Sequence, residues 1–311
     1  MLAALATSSA LGADRDGTWI TLGTAAGPIP DPVRSQPANV LVLGEKAYVV
    51  DAGDGTAGRL AQAGVSLHAI DAIFISHLHF DHTGGLAALL ALRYQISARN
   101  TVTVYGPPGT QRTVAGLIDF MRPMAEAGTG MPGQTTRPTG SNINVVEIRD
   151  GSVIELEDIT VRATRNTHMS FPQDSEAFER HQSLSLRFDL PGRSIAYTGD
   201  TGPSSAVEDL AQGADVLISE VMDVDRAIAR VKHLDPDIAQ PWLEMVSTHL
   251  RAHHVSPEQV GEMAARANVG KVVLTHLAPP MHEQDEMDVY IGRVGKTFDG
   301  DVVVANDLDR F

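Results

Sequence analysis

The sequence predicts an α/β fold, in which short strands and helices alternate along the chain. Two observations support this class. Short apolar runs rich in β-branched residues recur between turn residues, and stretches with helical periodicity lie between many of them. The chain also repeats itself weakly, because residues 50–77 and 199–220 both run from an Asp-x-Gly turn through a helical stretch to an apolar run that ends in a polar residue. This order predicts two βαβ-like halves, each with polar side chains at its strand ends.

The apolar runs define the predicted strands. Residues 39–43 and 47–50 flank Gly44-Glu45-Lys46 and predict a hairpin. Further strands are predicted at residues 72–76, 101–105, 159–164, 184–188, 194–197, 216–219 and 271–275.

Helices are predicted between these strands, at residues 55–63, 84–93, 204–212 and 238–251. The clearest helix start is Ser256-Pro257-Glu258-Gln259. Ser is a favourable N-cap, Pro is tolerated in the first turn, and Gln at the third position completes a capping box. Gly270 supplies the stop after this helix.

Composition restricts the partners and the chemistry. The chain has 24 Lys and Arg against 39 Asp and Glu, which gives a formal net charge of −15, and no basic run offsets it. Such a surface repels polyanions at long range, so nucleic acid is disfavoured as a partner. The chain has no cysteine. Disulfides, thiolate ligands and cysteine nucleophiles are therefore excluded, and His, Asp and Glu remain as metal ligands.

The N-terminus allows two interpretations. Residues 1–13 are apolar and rich in small residues, and Ala10-Leu11-Gly12 fits a small-x-small cleavage site. They are either the remnant of a secretory signal, which would make the protein periplasmic or secreted, or a disordered N-terminus of a cytoplasmic protein. No run reaches the ~18 apolar residues that a membrane span needs. Residues 14–311 are expected to form a single domain.

The strongest chemical signal is the motif His77-Leu78-His79-Phe80-Asp81-His82, which directly follows the predicted strand at 72–76. Alternation at the strand end places His77 and His79 on one side, where both imidazoles can face one metal ion. Asp81 and His82 fall in the turn before the next helix, displaced enough to serve a second ion. Imidazole and carboxylate are the ligand mix that zinc and other first-row metals prefer.

Three more residues of ligand type lie just past predicted strand ends. Asp200 is placed to bridge two ions with one carboxylate, His276 to complete the second site and His168 to complete the first. Each residue taken alone is as well explained as an ordinary polar loop residue. Their shared position past strand ends favours the metal interpretation.

These residues resemble, in kind and order, the motifs of the metallo-β-lactamase-fold hydrolases. Within that superfamily the chain resembles the branch that contains ribonuclease Z, ribonuclease Z-like arylsulfatases and cyclic phosphodiesterases. Residues 22–30 look like the opening strand and glycine turn of the branch, and residues 298–307 look like its final strand. The resemblance implies a four-layer αββα sandwich of two mixed β-sheets flanked by helices.

The resemblance also implies roles for residues outside the ligand set. Glu220 and His254 resemble the Glu and His that ribonuclease Z uses beside its metals, the His to protonate the leaving oxygen and the Glu to orient that His. His253 is the alternative for the acid, although the spacing to the capped helix favours His254. Asp51 is expected to hold a ligand histidine without binding metal itself.

The expected function is hydrolysis of a small phosphate, sulfate, carboxylic or lactone ester, including β-lactams, by a hydroxide that bridges two divalent ions. Zinc is the expected metal, with manganese or iron as alternatives. Asp81 is assigned to catalysis as well as to metal binding. Two other functions are kept open, namely a ribonuclease Z-like phosphodiesterase acting on RNA and an iron-dependent oxidoreductase of the same fold.

A short segment favours the small ester over RNA. The resemblance places the tRNA-gripping arm of ribonuclease Z between His168 and Asp200, and only residues 169–199 lie there in this chain. The expected partner is therefore a small anionic or ester substrate, with nucleic acid disfavoured and no membrane span. Assembly into a homo-oligomer is left open.

Overall fold

Strands and helices alternate along the described chain and build two β-sheets. A computed structural model describes residues 16–133 and 135–311. The two interpretations of residues 1–13 lie outside the described residues. No helix in the described ranges combines the length and apolar character needed to cross a bilayer.

The first sheet has six strands that follow one another in chain order. Its first two pairings are antiparallel and the remaining three are parallel. The strands are β1 Thr18–Gly23, β2 Ala38–Leu43, β3 Lys46–Ala52, β4 Ile70–Phe74, β5 Val102–Gly106 and β6 Ile143–Glu147.

The second sheet has seven strands, and they too follow one another in chain order across the sheet. The strands are β7 Val153–Glu155, β8 Thr160–Arg165, β9 Leu184–Asp189, β10 Ser194–Tyr197, β11 Val216–Met222, β12 Lys271–Ala278 and β13 Asp301–Val304. β7 to β10 pair antiparallel, and β10 to β13 pair parallel. Both sheets are thus mixed, as the resemblance implies.

Ten helices lie on the described chain: α1 Thr56–Gln62, α2 Phe80–Thr83, α3 Leu86–Gln95, α4 Thr110–Ala127, α5 Glu176–Arg180, α6 Ser205–Ala211, α7 Val224–Leu234, α8 Gln240–His253, α9 Pro257–Ala267 and α10 Gln284–Val294. The capping box at Ser256 is present, and Asn268 ends α9 in the left-handed conformation. The sequence patterns did not predict the helices α2, α4, α5, α7 and α10 or the strands β6 and β7.

Three apolar clusters define the layers. The central cluster holds aromatic side chains of both sheets, among them Trp19, Phe74 and Phe188. A second cluster joins α1, α3 and α4 to the first sheet, and a third joins α6, α9 and α10 to the second sheet. The order is therefore helices, sheet, sheet, helices, and the predicted four-layer αββα sandwich is confirmed.

The weak internal repeat corresponds to two similar units. β3, α1 and β4 form one parallel βαβ unit, and β10, α6 and β11 form the other. Each unit turns at an Asp-x-Gly segment, at Asp51 in the first and at Asp200 in the second. Because parallel strands of one sheet point the same way, polar residues after their carboxyl ends gather at a common edge.

Candidate metal centre

The predicted ligand residues lie where strands of both sheets end. His77 and His79 lie just after β4, separated from it by two residues, and the short helix α2 that follows carries Asp81 and His82. The remaining predicted ligands are His168 after β8, Asp200 after β10 and His276 within β12. The structure brings all seven side chains into one cleft between the two sheets.

His276 reaches the cleft through a local irregularity of its strand. In the pairing of β11 with β12, Glu220 lies opposite Thr275 and Val221 opposite Leu277, so His276 is an extra residue. Its φ of 45° lies in the left-handed region, which a non-glycine residue adopts only under constraint. Such a bulge redirects a side chain that regular alternation would place elsewhere.

Three histidines form the first donor cluster. His77 Nε2 lies 3.0 Å from His79 Nδ1, and His79 Nδ1 lies 3.2 Å from His168 Nε2. One carboxylate oxygen, Asp200 Oδ2, lies 3.8 Å from the His77 nitrogen and 3.9 Å from the His168 nitrogen. Four nitrogen and oxygen donors therefore surround one small space.

The second donor cluster combines imidazole and carboxylate. Asp200 Oδ1 lies 3.2 Å from His82 Nε2 and 3.1 Å from His276 Nε2. Asp81 Oδ2 lies 3.5 Å from the same His82 nitrogen and 3.6 Å from the same His276 nitrogen. The two oxygens of Asp200 thus face different clusters, and this one carboxylate joins them.

The second cluster fits a metal ion better than a hydrogen-bond network. His82 Nε2, His276 Nε2 and Asp200 Oδ1 are buried, and none of them has a hydrogen-bond partner among the described residues. This is so although Asp200 Oδ1 lies only 3.1–3.2 Å from each of the two nitrogens. Buried polar atoms are normally hydrogen-bonded, so atoms that converge without such bonds need another partner. A nitrogen and oxygen donor set of this kind suits a divalent first-row ion.

The electrostatics of the two clusters differ. Burial lowers the pKa of His77 well below its ordinary value and lowers the pKa of His168 to about 3, so both rings stay neutral and keep a lone pair for a ligand bond. Burial also acts against the charged form of His276, but Asp200 and Asp81 outweigh it and raise that pKa to about 10. The second cluster thus carries a negative potential that attracts cations.

Asp51 lies behind the donor clusters and organises them. Its Oδ2 accepts hydrogen bonds from His82 Nδ1 at 2.8 Å, from the Tyr197 hydroxyl at 2.7 Å and from the Ser76 hydroxyl at 2.8 Å. Its Oδ1 accepts from the Ser76 backbone N–H at 2.7 Å. Because Nδ1 of His82 donates to Asp51, Nε2 of that ring is left with its lone pair toward the cleft.

Glu220 and His254 form a buried pair beside the clusters. His254 Nδ1 lies 2.8 Å from Glu220 Oε2, and the other carboxylate oxygen accepts the Thr201 backbone N–H. Burial raises the pKa of Glu220, and the Glu220 carboxylate outweighs burial to raise the pKa of His254. The alternative acid His253 points elsewhere, to Ser170 and His249.

Sequence reasoning missed two residues at the site and considered a third for another role. Tyr197, buried at the end of β10, supports Asp51 through its hydroxyl. The sequence patterns assign no role to His249, but its ring centroid lies 5.4 Å from that of His168. His253, considered as the alternative acid, bonds His249 instead. The available signal was the spacing of these two histidines, because residues four apart share one helix face.

Comparisons with known proteins find relatives along nearly the whole chain. A family model for the beta-lactamase superfamily domain matches residues 47–277. A ribonuclease Z of Mycobacterium avium is 28% identical over 294 residues, which cover 94% of this chain and 96% of the relative. The metallo-beta-lactamase fold protein YhfI of Bacillus subtilis superposes with a TM-score of 0.67 and 18% identity, over 95% of this chain and 98% of its own. The human tRNase Z, short form, gives a TM-score of 0.61 and 22% identity, over 94% and 98%.

These relatives correct one expectation. Nucleic acid was disfavoured as a partner because of the net charge and the short segment between His168 and Asp200. That expectation is wrong, since a ribonuclease Z matches along nearly the whole chain at 28% identity. The physical reason is that net charge averages over the entire surface, whereas a substrate meets the local field of the site. The findings favour the ribonuclease alternative over the small ester.

Proposed function

The chain belongs to the beta-lactamase superfamily and is a metallo-β-lactamase-fold hydrolase, and from this premise we propose that it is a phosphodiesterase of the ribonuclease Z type that holds two divalent metal ions and cleaves RNA. One observation carries the proposal: the two carboxylate oxygens of Asp200 face two separate donor clusters. A single carboxylate shared in this way can hold two ions side by side, as a two-ion hydrolytic centre needs.

Seven side chains would hold the ions. His77, His79 and His168 would hold the first, His82, His276 and Asp81 the second, and Asp200 would bind both. Zinc is the proposed metal, because the donors are imidazole and carboxylate groups. When bound, two such ions lower the pKa of a water molecule and polarise the phosphoryl group.

His254 is the proposed general acid, and Glu220 holds it. The carboxylate on Nδ1 leaves Nε2 as the free ring nitrogen, from which a proton can pass to the leaving oxygen of the substrate. Glu220 is fully buried and His254 is 5% exposed, so the pair is fixed in one orientation. A buried carboxylate also favours the protonated imidazole, which is the form an acid needs.

The mouth of the site is compatible with RNA. Two divalent ions against the carboxylates of Asp81 and Asp200 leave a local charge of roughly +2, which attracts a phosphodiester in spite of the acidic surface. Phe80 lies in the ligand motif between His79 and Asp81, and 86% of its surface is exposed. An exposed aromatic ring beside the scissile group offers a surface on which an unpaired base can stack.

The test is a substrate panel with the zinc-loaded protein. We expect cleavage of a precursor tRNA and of an unstructured RNA, and slower cleavage of bis(p-nitrophenyl) phosphate. Lactone and cephalosporin substrates should be hydrolysed weakly or not at all, because a planar carbonyl group differs in charge and geometry from a phosphodiester. Aryl sulfate is tetrahedral and singly charged like a phosphodiester, but it has one ester arm instead of two, and we expect it to be hydrolysed weakly. Metal content, measured on protein purified without chelator, should be about two ions per chain.

The outcomes separate the alternatives. Turnover of the small phosphodiester without cleavage of either RNA would replace RNA by a small phosphodiester as the substrate. Preferred turnover of a sulfate, lactone or lactam would overturn the phosphodiesterase proposal itself. Iron at full occupancy with oxygen consumption would favour an oxidoreductase of this fold.

A further inference from the structure

Helix α8 places two additional histidines beside the candidate metal centre. His249 and His253 are four residues apart, and both lie in the last two turns of the helix. Residues with this spacing lie on one helix face. Neither belongs to the seven proposed ligands or to the Glu220–His254 pair.

The two histidines form a hydrogen-bonded chain with Ser170. Ser170 Oγ lies 2.8 Å from His253 Nε2, and His253 Nδ1 lies 2.8 Å from His249 Nδ1. Two ring nitrogens at this distance share one proton. If the serine hydroxyl donates to His253, then His253 donates to Nδ1 of His249, and a hydrogen is left on Nε2 of His249. In this arrangement of the protons, His249 Nε2 is a hydrogen-bond donor.

His249 lies beside both the first donor cluster and the proposed acid. Its ring centroid is 5.4 Å from that of His168 and 5.6 Å from that of His254. Ring nitrogens of these three residues lie within 4.8 Å of one another. His249 is half-buried, whereas His168 and His254 are buried, so it lies on the solvent side of them. Among the described residues, Nε2 of His249 has no hydrogen-bond partner.

We propose that His249 donates a hydrogen bond from Nε2 to a phosphoryl oxygen of the substrate, and that His253 and Ser170 are positioning residues that hold its ring. This inference rests on the proposed function, because it assumes a phosphate group at the metal centre. A hydrogen bond between a donor and an anionic oxygen is stronger than a neutral one and favours phosphate over an uncharged carbonyl. His249 thus adds selectivity for phosphate that the metal ligands alone do not provide.

The test measures binding of inorganic phosphate to the zinc-loaded protein by calorimetry. His249→Phe keeps a ring and removes the donor, and we expect phosphate to bind roughly 10- to 100-fold more weakly. His249→Gln places an amide N–H near the position of Nε2 and should recover part of that loss. The matched control is His233→Phe, an exposed histidine on α7, which should bind phosphate like the unmodified protein. Zinc content should stay unchanged in all three variants.

The positioning role has its own readout. His253→Phe should weaken phosphate binding by less than His249→Phe does, and it should have no further effect in a protein that already carries His249→Phe. Equal effects in both backgrounds would overturn the positioning role of His253.

Two other results would overturn the role of His249. Unchanged phosphate binding in His249→Phe would show that its ring makes no contact with the anion, and loss of an ion would make it a metal ligand. The experiment needs no RNA cleavage, so a protein that binds phosphate through His249 but cleaves no phosphodiester would refute the proposed function and leave this inference standing.

Discussion

The backbone N–H of Gly27 donates a hydrogen bond to Asp81 Oδ2 over 3.1 Å. This contact links the turn after β1 to the motif after β4, and it leaves no room for a side chain at residue 27. A β-carbon added to Gly27 would lie 2.2 Å from Asp81 Cβ and 2.5 Å from Asp81 Oδ2. The orientation of a proposed metal ligand therefore depends on a glycine that is 54 residues away in sequence.

Gly27→Ala should displace the Asp81 carboxylate and weaken metal binding at the second cluster. We expect a loss of turnover on the order of 10²-fold, because a small misplacement at a catalytic centre has effects of that size. Zinc titration should show one weakened site. Gly58→Ala on α1 is the control, since its β-carbon would meet no atom within 4 Å, and a helical alanine should stabilise the fold by about 0.5–1 kcal/mol. Full metal affinity in Gly27→Ala would refute the role given to this contact.

Asp200→Asn should lower the affinity for both ions, because an amide supplies one oxygen where the carboxylate offers two. Turnover should fall to background, and zinc titration should show weakened binding at both sites. Asp209→Asn, a change of the same type at an exposed position on α6, should leave metal content unaltered. If Asp200→Asn weakens only one of the two sites, the carboxylate is a ligand of a single ion and does not bridge.

The sequence predicts the parts of this site that are local. The histidines and aspartate of residues 77–82 follow an apolar run, and both features lie within one short stretch. The start of α9 is also determined locally, because the side chains of Ser256 and Gln259 each accept a hydrogen bond from the backbone N–H of the other. Short-range patterns of this kind do not depend on the rest of the fold.

Other parts of the site depend on tertiary packing. Tyr197 donates a hydrogen bond to Asp51, which is 146 residues away in sequence. His249 lies at the site because helix α8 brings its ring beside that of His168. The bulge that directs His276 arises from the pairing of two strands. None of these three features produces a recognisable pattern within a short stretch of sequence. The expectation that nucleic acid is disfavoured as a partner was wrong for a related reason, because the net charge of the whole chain does not give the electrostatic field at one cleft.

Phe80→Ala should weaken the binding of RNA and leave small phosphodiesters unaffected. The expected rise in KM for single-stranded RNA is roughly 10-fold, as stacking of one base on an aromatic ring contributes about 1–3 kcal/mol. The kcat for bis(p-nitrophenyl) phosphate should stay unchanged, because Phe80 is not a proposed ligand. Phe120→Ala, which removes another exposed ring on α4, is the control. Equal losses for RNA and for the small substrate would point to a disturbed metal site.

The ion pair between Glu258 and Arg293 predicts a dependence of stability on pH. Arg293 donates from Nη2 and Nε to the two oxygens of Glu258 at 2.9 and 3.0 Å and lowers the pKa of that carboxyl to about 2. A lowered pKa stabilises the fold above the ordinary pKa of glutamate, and this contribution is lost as the pH falls through 4 toward 2. Because a third of the side chain is exposed, we expect at most about 1 kcal/mol.

Glu258→Gln should therefore lower the free energy of unfolding at pH 7. The difference in free energy of unfolding between this variant and the unmodified protein should become smaller as the pH approaches 2. Urea unfolding at several pH values measures this. Glu262→Gln is the control, because the carboxylate of that residue has a longer contact of 3.4 Å with Arg266 and is more exposed. A constant difference between Glu258→Gln and the unmodified protein at every pH would show that the carboxyl titrates alike in the folded and unfolded chains.

His254→Ala should reduce turnover according to the leaving group. With an alkoxide-like leaving group, such as a ribose oxygen, protonation is needed and kcat should fall roughly 10²–10⁴-fold. With nitrophenolate as the leaving group little protonation is needed, so kcat should be almost unchanged. Glu220→Gln should follow the same trend more mildly, because the amide keeps the shape of the side chain but binds the imidazole less strongly. Zinc content should be unchanged in both variants. Equal losses with both leaving groups would give His254 a role in positioning substrate, and loss of zinc would make it a ligand.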